Sequence, residues 1–176
     1  ITLSNTGNPA IAVAEVSNMA PHNARDTLLG KEILVEVSYK KGEHDKAVQL
    51  AEEIQKEDPQ NGLVHLIKGN VLAIQGENEK ALAEYTLATQ TEEGNPRIQA
   101  EAFSKAGRIH SDRGNLTEAE KMYDHAVTQN PFSSEILSDR GVLYEKQGAP
   151  QKAMSLYQEA LIADPSDGVS NALMKR

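Results

Sequence analysis

The side chains able to carry out acid–base, nucleophilic or metal chemistry are scattered along this sequence and form no catalytic pattern. The sequence has no cysteine, which excludes thiolate nucleophiles and cysteine-ligated metals. Its histidines show neither the HExxH nor the HxH spacing of metal sites, and they are His22, His44, His65, His110 and His125. No glycine-rich phosphate loop, nucleophile elbow or pair of catalytic carboxylates can be placed. We therefore expect no enzymatic activity, no cofactor and no metal ion.

The excess of acidic side chains argues against nucleic acid and anionic membranes as partners. The sequence carries 18 basic and 26 acidic side chains and a net charge of −8, which repels nucleic acid phosphates and anionic lipid headgroups. It contains no run of apolar residues long enough to span a bilayer, so we expect no direct membrane insertion by this chain. Because the sequence begins at Ile1, two localisations stay open: cytoplasmic, or periplasmic and exported with a signal or anchor removed before Ile1.

Three series of residues recur along the sequence at the same intervals, which are 34, 38 and 34 residues. The series are Gly42, Gly76, Gly114 and Gly148; Ala47, Ala81, Ala119 and Ala153; and Ala51, Tyr85, Tyr123 and Tyr157. Each unit also ends in a proline that follows Asp or Asn, at Pro59, Pro96, Pro131 and Pro165. Self-similarity at such a period indicates an array of repeated structural units.

The order of residues within a unit predicts two helices joined by a tight turn. Apolar residues between the landmarks follow helical spacing, as in Ala81, Leu82, Tyr85 and Ala88. The recurring glycine stands where the first helix must end in a left-handed residue, and the proline stops the second helix. Further glycines fall inside the first helices, where we expect close packing against the tyrosines of the second helices, at Gly69, Gly107 and Gly141. In this register Tyr123 is buried and Glu120 is exposed.

The succession of Gly, Ala, aromatic, Ala and Pro over a 34-residue period resembles the tetratricopeptide repeat. The fullest matches are Phe103, Ala106, Gly107, His110, Ala119, Tyr123, Ala126 and Pro131 in one unit, and Leu137, Arg140, Gly141, Tyr144, Ala153, Tyr157, Ala160 and Pro165 in the next. The first unit departs most, with Val35 for the usual small residue and Ala51 for the usual aromatic, as expected at the end of a stack. The resemblance implies an all-α, right-handed superhelical stack of antiparallel helix pairs, with helical hairpins at residues 28–61, 62–99, 100–133 and 134–167.

Three segments depart from the period. Four extra residues enter between Thr89 and Pro96, where Asn95 and Pro96 predict the N-cap and first-turn proline of a helix that starts early and runs longer. This insertion is either a longer loop without a role or a part of a contact with a partner or another subunit. Residues 1–27 are either a short helix that caps the stack or a linker from an upstream anchor. Residues 168–176 form either a capping helix or the stub of a further repeat.

In the family that this sequence resembles, first helices line a concave groove and present the second, fifth, ninth and twelfth residues of each unit to a ligand. The resemblance implies a peptide-binding groove of Glu32, Glu36, Tyr39, Leu63, Leu66, Asn70, Ala73, Ser104, Arg108, Ser111, Ser138, Val142 and Glu145, with Leu29, Glu101 and Glu135 at equivalent positions. Asn70 beside Arg108 suits a peptide backbone or a single carboxylate, but Glu32, Glu36 and Ser104 argue against the carboxylate clamp of co-chaperones. The glutamates favour a partner with a basic segment.

These observations together predict a non-catalytic scaffold or adaptor that binds a peptide or protein segment in its concave groove during assembly of a larger complex. One alternative is a structural subunit that associates with itself through its outer face or the ends of the stack. Another is the soluble domain of an anchored or exported bacterial envelope-assembly factor. The solution mass separates the first alternative from the adaptor, and the residues upstream of Ile1 separate the second.

Overall fold

The structure, a computed structural model, describes residues 27–91 and 95–174, and these ranges fold as nine α-helices without a β-strand. The cap or linker expected at residues 1–27 lies outside these ranges apart from Thr27, as do residues 92–94 and 175–176. The helices in chain order are α1 (Leu28–Lys40), α2 (His44–Glu57), α3 (Gly62–Ile74), α4 (Asn78–Thr89), α5 (Pro96–Asp112), α6 (Leu116–Gln129), α7 (Ser134–Lys146), α8 (Pro150–Ala163) and α9 (Gly168–Leu173).

The first eight helices pair as hairpins because a short turn ends each first helix. The turns between α1 and α2, α3 and α4, α5 and α6, and α7 and α8 each contain one glycine with φ between +74° and +79°: Gly42, Gly76, Gly114 and Gly148. A β-carbon is strained in this left-handed region, so glycine is required there. Each helix packs on its neighbours in chain order. The prediction of an all-α stack of antiparallel helix pairs is confirmed.

A polar side chain caps the N-terminus of each first helix. Thr27, Asn61, Asn95 and Ser133 accept a hydrogen bond from a backbone N–H two or three residues further on. These bonds satisfy donors that have no partner inside the helix and set where it begins. The cap at Asn95, followed by Pro96 in the first turn of α5, is the start that the sequence predicts for the third unit.

The third unit is longer than the others because its first helix is longer. Helix α5 has 17 residues, whereas α1, α3 and α7 each have 13. Four residues make about one helical turn, so the extra residues of this unit form an additional turn at the N-terminus of α5. That turn begins at Pro96 and carries Arg97, which is exposed, and Ile98, which is buried in the core.

Tyrosines of the second helices pack directly against glycines of the first. A β-carbon on Gly69 would lie 2.6 Å from Cε1 of Tyr85, and a β-carbon on Gly141 would overlap the ring of Tyr157. Both tyrosines are buried. The glycines therefore permit an approach that no larger residue allows, and packing offsets their unfavourable helix propensity of about 1 kcal/mol.

The first hairpin reverses this size relationship. Val35 on α1 occupies the position of the packing glycines, and Ala51 on α2 occupies that of the tyrosines; both are 0% exposed in one core cluster. The larger side chain has moved from the second helix to the first. The departure of this unit from the repeat pattern is thus an exchange of volume between helices that keeps the core filled.

The side chain of Glu120 is less exposed than the sequence predicts. It is half-buried, and its two carboxylate oxygens accept hydrogen bonds of 3.1 Å from the hydroxyl of Tyr144 and from Nε2 of Gln147. Because α6 packs against the next hairpin, this face of the helix meets the end of α7. The expectation that Glu120 faces solvent is wrong.

Candidate protein-interaction surface

First helices line one side of the stack, here called the inner face. Helices α1, α3, α5 and α7 contact one another in succession, whereas the second helices show no comparable contacts within the described ranges. Elements that approach most closely lie on the inside of a curved stack. The inner face is therefore the concave side, on which the sequence places the groove.

Asn70 on α3 holds an unsatisfied donor in the middle of this face. Its side chain is 3% exposed, and its Oδ1 accepts a hydrogen bond of 2.9 Å from the hydroxyl of Tyr85. Its Nδ2 is buried and has no hydrogen-bond partner in the part of the chain that the structure describes. Since most buried polar groups are paired, such a donor calls for an explanation.

Two tyrosine hydroxyls lie near the charged side chains of α5 at this place. Burial raises the pKa of Tyr39, an effect that Lys105 opposes and Glu101 reinforces. Burial also raises the pKa of Tyr85, which feels the charges of Glu101 and Arg108. Both hydroxyls stay protonated at physiological pH, so they act as neutral hydrogen-bonding groups.

Two cations of α5 are held by two carboxylates of α7. Nη2 and Nε of Arg108 lie 2.6 and 3.2 Å from Oδ2 of Asp139, and Nη2 lies 3.6 Å from Glu135. Nζ of Lys105 lies 2.6 Å from Oε1 of Glu135. These charge-assisted bonds orient both cations toward the fourth hairpin. The Arg108 side chain is therefore already held in place when a partner binds.

The carboxylates of this face differ in how far the nearby cations compensate their burial. Burial raises the pKa of Glu101, and Lys105 opposes this only in part. Burial likewise raises the pKa of Asp139 in spite of Arg108. For Glu135 burial is opposed by the charge and hydrogen bond of Lys105 and by the charge of Arg108, which together outweigh it, so that its pKa is lowered. Glu101 and Asp139 would therefore gain from an additional positive charge.

The additional turn of α5 ties the inner face together across one hairpin. Nη2 of Arg97 lies 2.5 Å from Oε1 of Glu36 on α1, although the two residues belong to the third and first hairpins. Helix α3 lies between them in the stack. The ion pair therefore links α1 directly to α5.

The groove positions predicted from the sequence divide into two sets. Buried positions are Leu63, Leu66, Asn70, Ser104, Ser111 and Ser138. Positions with exposed surface are Glu32, Glu36, Tyr39, Ala73, Arg108, Val142 and Glu145. The first set packs where successive first helices touch, so the area available to a partner comes from the second set. Tyr85 donates a hydrogen bond to Asn70 and also feels the charge of Arg108.

Three charged residues of the inner face are missing from the predicted set: Arg97, Lys105 and Asp139. Arg97 lies in the additional turn, for which the repeat offers no equivalent position. Lys105 and Asp139 each follow a predicted position, Ser104 and Ser138, by one residue. Their opposite charges at the same place in consecutive units were the available signal.

Two histidines in the described ranges contact side chains of a neighbouring helix. His65 Nδ1 lies 2.7 Å from Oε2 of Glu84 and links α3 to α4, and His125 stacks on Phe103 with ring centroids 4.9 Å apart. No group of three or more His, Cys, Asp or Glu side chains in those ranges is arranged to hold a metal ion. His22 lies outside them. Among the described helices, none combines the length and apolar character needed to cross a bilayer.

Comparison with known proteins extends these observations. A family model described as tetratricopeptide repeat matches residues 34–96 and 104–168, which is more than half of the chain. No curated protein matches the sequence. Solved structures of similar fold do match.

One such structure is TTC0263, a thermophilic tetratricopeptide repeat protein of Thermus thermophilus, with 18% identity, a TM-score of 0.71, and coverage of 96% of this chain and 97% of that one. Another is the first tetratricopeptide domain of Spaghetti (RPAP3) bound to the HSP90 peptide SRMEEVD, with 24% identity, a TM-score of 0.58, and coverage of 67% and 91%. A third is the APC/C hetero-tetramer Cut9-Hcn1, with 17% identity, a TM-score of 0.68 and 90% of this chain covered. This chain spans only 29% of the matched chain of that assembly. At these identities the likeness concerns the fold.

Proposed function

This chain belongs to the tetratricopeptide repeat family, and from that premise we propose that it is a non-catalytic scaffold that binds a peptide or protein segment on its inner face. Proteins of this fold commonly mediate protein–protein interaction. A domain of similar fold is bound to a short peptide, and another match is a subunit of a multi-protein assembly. We infer a corresponding role for this chain in assembling a larger complex.

The observation that carries the proposal is the unpartnered Nδ2 of Asn70. Because Nδ2 is buried beneath the exposed groove positions, a backbone carbonyl or a carboxylate of a bound segment would accept a hydrogen bond from it after the side chains that cover it have shifted. The acceptor of the same amide group is already used by Tyr85. The Asn70 side chain is therefore held in one orientation before a partner arrives, which lowers the entropic cost of binding.

The charges of the inner face favour a segment that carries basic residues. Glu101 and Asp139 are partly buried carboxylates with raised pKa values, and a cation placed near them would stabilise their ionised forms. Glu32 and Glu145 add acidic character at the two ends of the exposed set. Partner selection on this face is thus expected to depend on charge and to weaken with salt.

The experiment is a selection of peptides from a random library on the wild-type chain, followed by affinity measurements on three proteins. Tyr85→Phe removes the hydroxyl that bonds to Asn70 but keeps the Nδ2 donor. Asn70→Leu/Tyr85→Phe removes the donor as well and replaces both partners by apolar groups of similar shape, which preserves the core. Tyr85→Phe is therefore the matched control for loss of the internal hydrogen bond.

We expect the selected peptide to bind Tyr85→Phe slightly more weakly than wild type, because the Asn70 amide is no longer held in one orientation. The double variant should bind about five- to tenfold more weakly, as for loss of one hydrogen bond. Circular dichroism establishes that all three proteins are folded. Equal affinity of the folded double variant and its control would contradict the role of Asn70, and failure to select any peptide would contradict the scaffold proposal.

A further inference from the structure

We propose that this chain has a second interaction surface, a groove between its first two hairpins that binds a basic amphipathic helix of a partner protein. This surface, called the outer groove, is lined by α2, α3 and α4 and has an open volume of about 610 Å³. None of its lining residues belongs to the predicted positions of the inner face. The inference is thus independent of the partner proposed for Asn70.

One wall of the outer groove is a single stripe of α2. Asp45, Val48, Gln49 and Glu52 line it, and their spacing of three, four and seven residues places them on the same side of the helix. Two helical turns separate the carboxylates at its ends, a distance of about 10 Å. The stripe therefore presents one apolar and one neutral polar side chain, Val48 and Gln49, between two acidic ends.

The opposite wall repeats this arrangement on α3. Lys68, Val71, Leu72 and Gln75 follow the same spacing, so two stripes of equal length face each other across the groove. Val71 is buried and Leu72 is half-buried against the core. Val48 and Leu72, which are partly exposed, supply the apolar surface of the groove, and Val71 lies buried beneath them. One face of a short helix can place apolar side chains on this surface.

The charged side chains of the outer groove indicate which charge a bound segment should carry. Asp45 and Glu52 are exposed, and neither forms an ion pair with any residue that the structure describes. The ammonium of Lys68 is directed to Oε1 of Gln55 at 2.5 Å, and Glu84 is held by His65. Gln55 is neutral, so Lys68 keeps its positive charge on the α3 wall, while the α2 wall carries the two unpaired carboxylates. Lysine or arginine side chains at the two ends of an amphipathic helix complement the α2 wall.

The test uses two sets of helix-forming peptides of about 14 residues, long enough to span the groove. In one set apolar residues on one face are flanked by lysine or arginine, and in the other set glutamate replaces the cations. Binding to the full chain is measured by fluorescence anisotropy, and the site is mapped by backbone amide shifts. Asp45→Asn/Glu52→Gln removes the two free charges. The matched control is Glu53→Gln, an exposed neighbour on α2 that does not line the groove.

We expect cationic peptides to bind and to shift the amides of Val48, Gln49, Val71 and Leu72, while the glutamate set does not bind. Asp45→Asn/Glu52→Gln should weaken binding about tenfold, roughly threefold for each lost charge pair, and Glu53→Gln should leave it unchanged. Asn70→Leu/Tyr85→Phe should also leave it unchanged, which separates this surface from the inner face.

Three results would overturn the inference. Equal binding of the two peptide sets would contradict the preference of the groove for cationic helices. Shifts confined to α1, α5 and α7 would move the site to the inner face. Self-association of the chain that is abolished by Asp45→Asn/Glu52→Gln, seen by sedimentation without peptide, would assign the groove to a second copy of this chain.

Discussion

Arg97 and Glu36 form an ion pair with 2.5 Å between Nη2 and Oε1, although a whole hairpin separates them in the sequence. Arg97 belongs to the additional turn of α5, which the other first helices lack. A four-residue lengthening of one helix thereby creates a link between the first and third hairpins. In an array where each unit contacts mainly its neighbours, this link couples units that are otherwise separate.

Arg97→Gln should lower the free energy of unfolding only slightly, because the pair is partly exposed. Pairs of this kind contribute about 0.2–1 kcal/mol, and salt screens them. Urea unfolding at low and high salt measures the effect, which should fade at high salt. Amide exchange in α1 should quicken. Arg113→Gln, which breaks an ion pair between adjacent units with Glu79, serves as control and should leave α1 exchange unchanged. A loss above about 2 kcal/mol would contradict this account.

Gly141→Ala should destabilise the chain more than Gly107→Ala. The added methyl group at Gly141 overlaps the ring of Tyr157, whereas at Gly107 the nearest ring atom of Tyr123 lies 3.1 Å away. Overpacking costs about 1–3 kcal/mol and alanine regains about 1 kcal/mol of helix propensity. We expect a net loss of up to about 2 kcal/mol for Gly141→Ala and little change for Gly107→Ala, measured by chemical unfolding. The reverse order would show that the helices do not approach as described.

Tyr123→Ala should cost about 3–5 kcal/mol, because Tyr123 is 1% exposed at the centre of the stack. Gln129→Ala, an exposed change on the same helix, should stay within about 0.5 kcal/mol. Glu120→Ala should fall between them at about 1 kcal/mol, since it breaks hydrogen bonds to Tyr144 and Gln147. Thermal unfolding of the three variants tests this order, and equal values for Glu120→Ala and Gln129→Ala would contradict the contact between α6 and α7.

Glu101→Gln should stabilise the chain at neutral pH and not at acidic pH. Burial raises the pKa of Glu101 above its ordinary value of 4.5, so the folded chain binds this proton more readily than the unfolded chain. The ionised carboxylate therefore costs stability above the folded-state pKa, and the cost disappears below about pH 4.5. Unfolding of both proteins at neutral pH and at about pH 4 measures the difference. Glu145→Gln, an exposed change on α7, is the control. A gain that persists at the lower pH would contradict this explanation.

The sequence predicted those parts of the fold that depend on local geometry. The spacing of Gly42, Gly76, Gly114 and Gly148 marked the turns because only glycine takes positive φ there without strain. Asn95 and Pro96 marked the early start of α5, because an N-cap and a first-turn proline affect only the backbone of the next few residues. Periodicity also placed Tyr123 in the core. In each case the determining contacts lie close together in the sequence or recur with the period.

The candidate site was predicted less completely, because its chemistry depends on contacts between units. Burial of Leu66, Ser104 and Ser138 follows from how closely successive first helices approach, which the curvature of the whole stack sets. The partner of Arg108, Asp139, lies on the next first helix, and no local pattern marks the pair. The environment of Asn70 likewise depends on a hydroxyl from another helix. Repeat position gives the face on which a residue lies, and the neighbouring repeats decide whether it is exposed there.

A crystal structure of the chain with a peptide selected on it tests the central claim most directly. We expect the peptide to lie along α1, α3, α5 and α7, with one of its oxygen atoms within about 3.2 Å of Nδ2 of Asn70. The hydrogen bond from Tyr85 to Asn70 should be retained. A peptide bound elsewhere, with Nδ2 of Asn70 still without an acceptor, would contradict the claim that the inner face is the binding site.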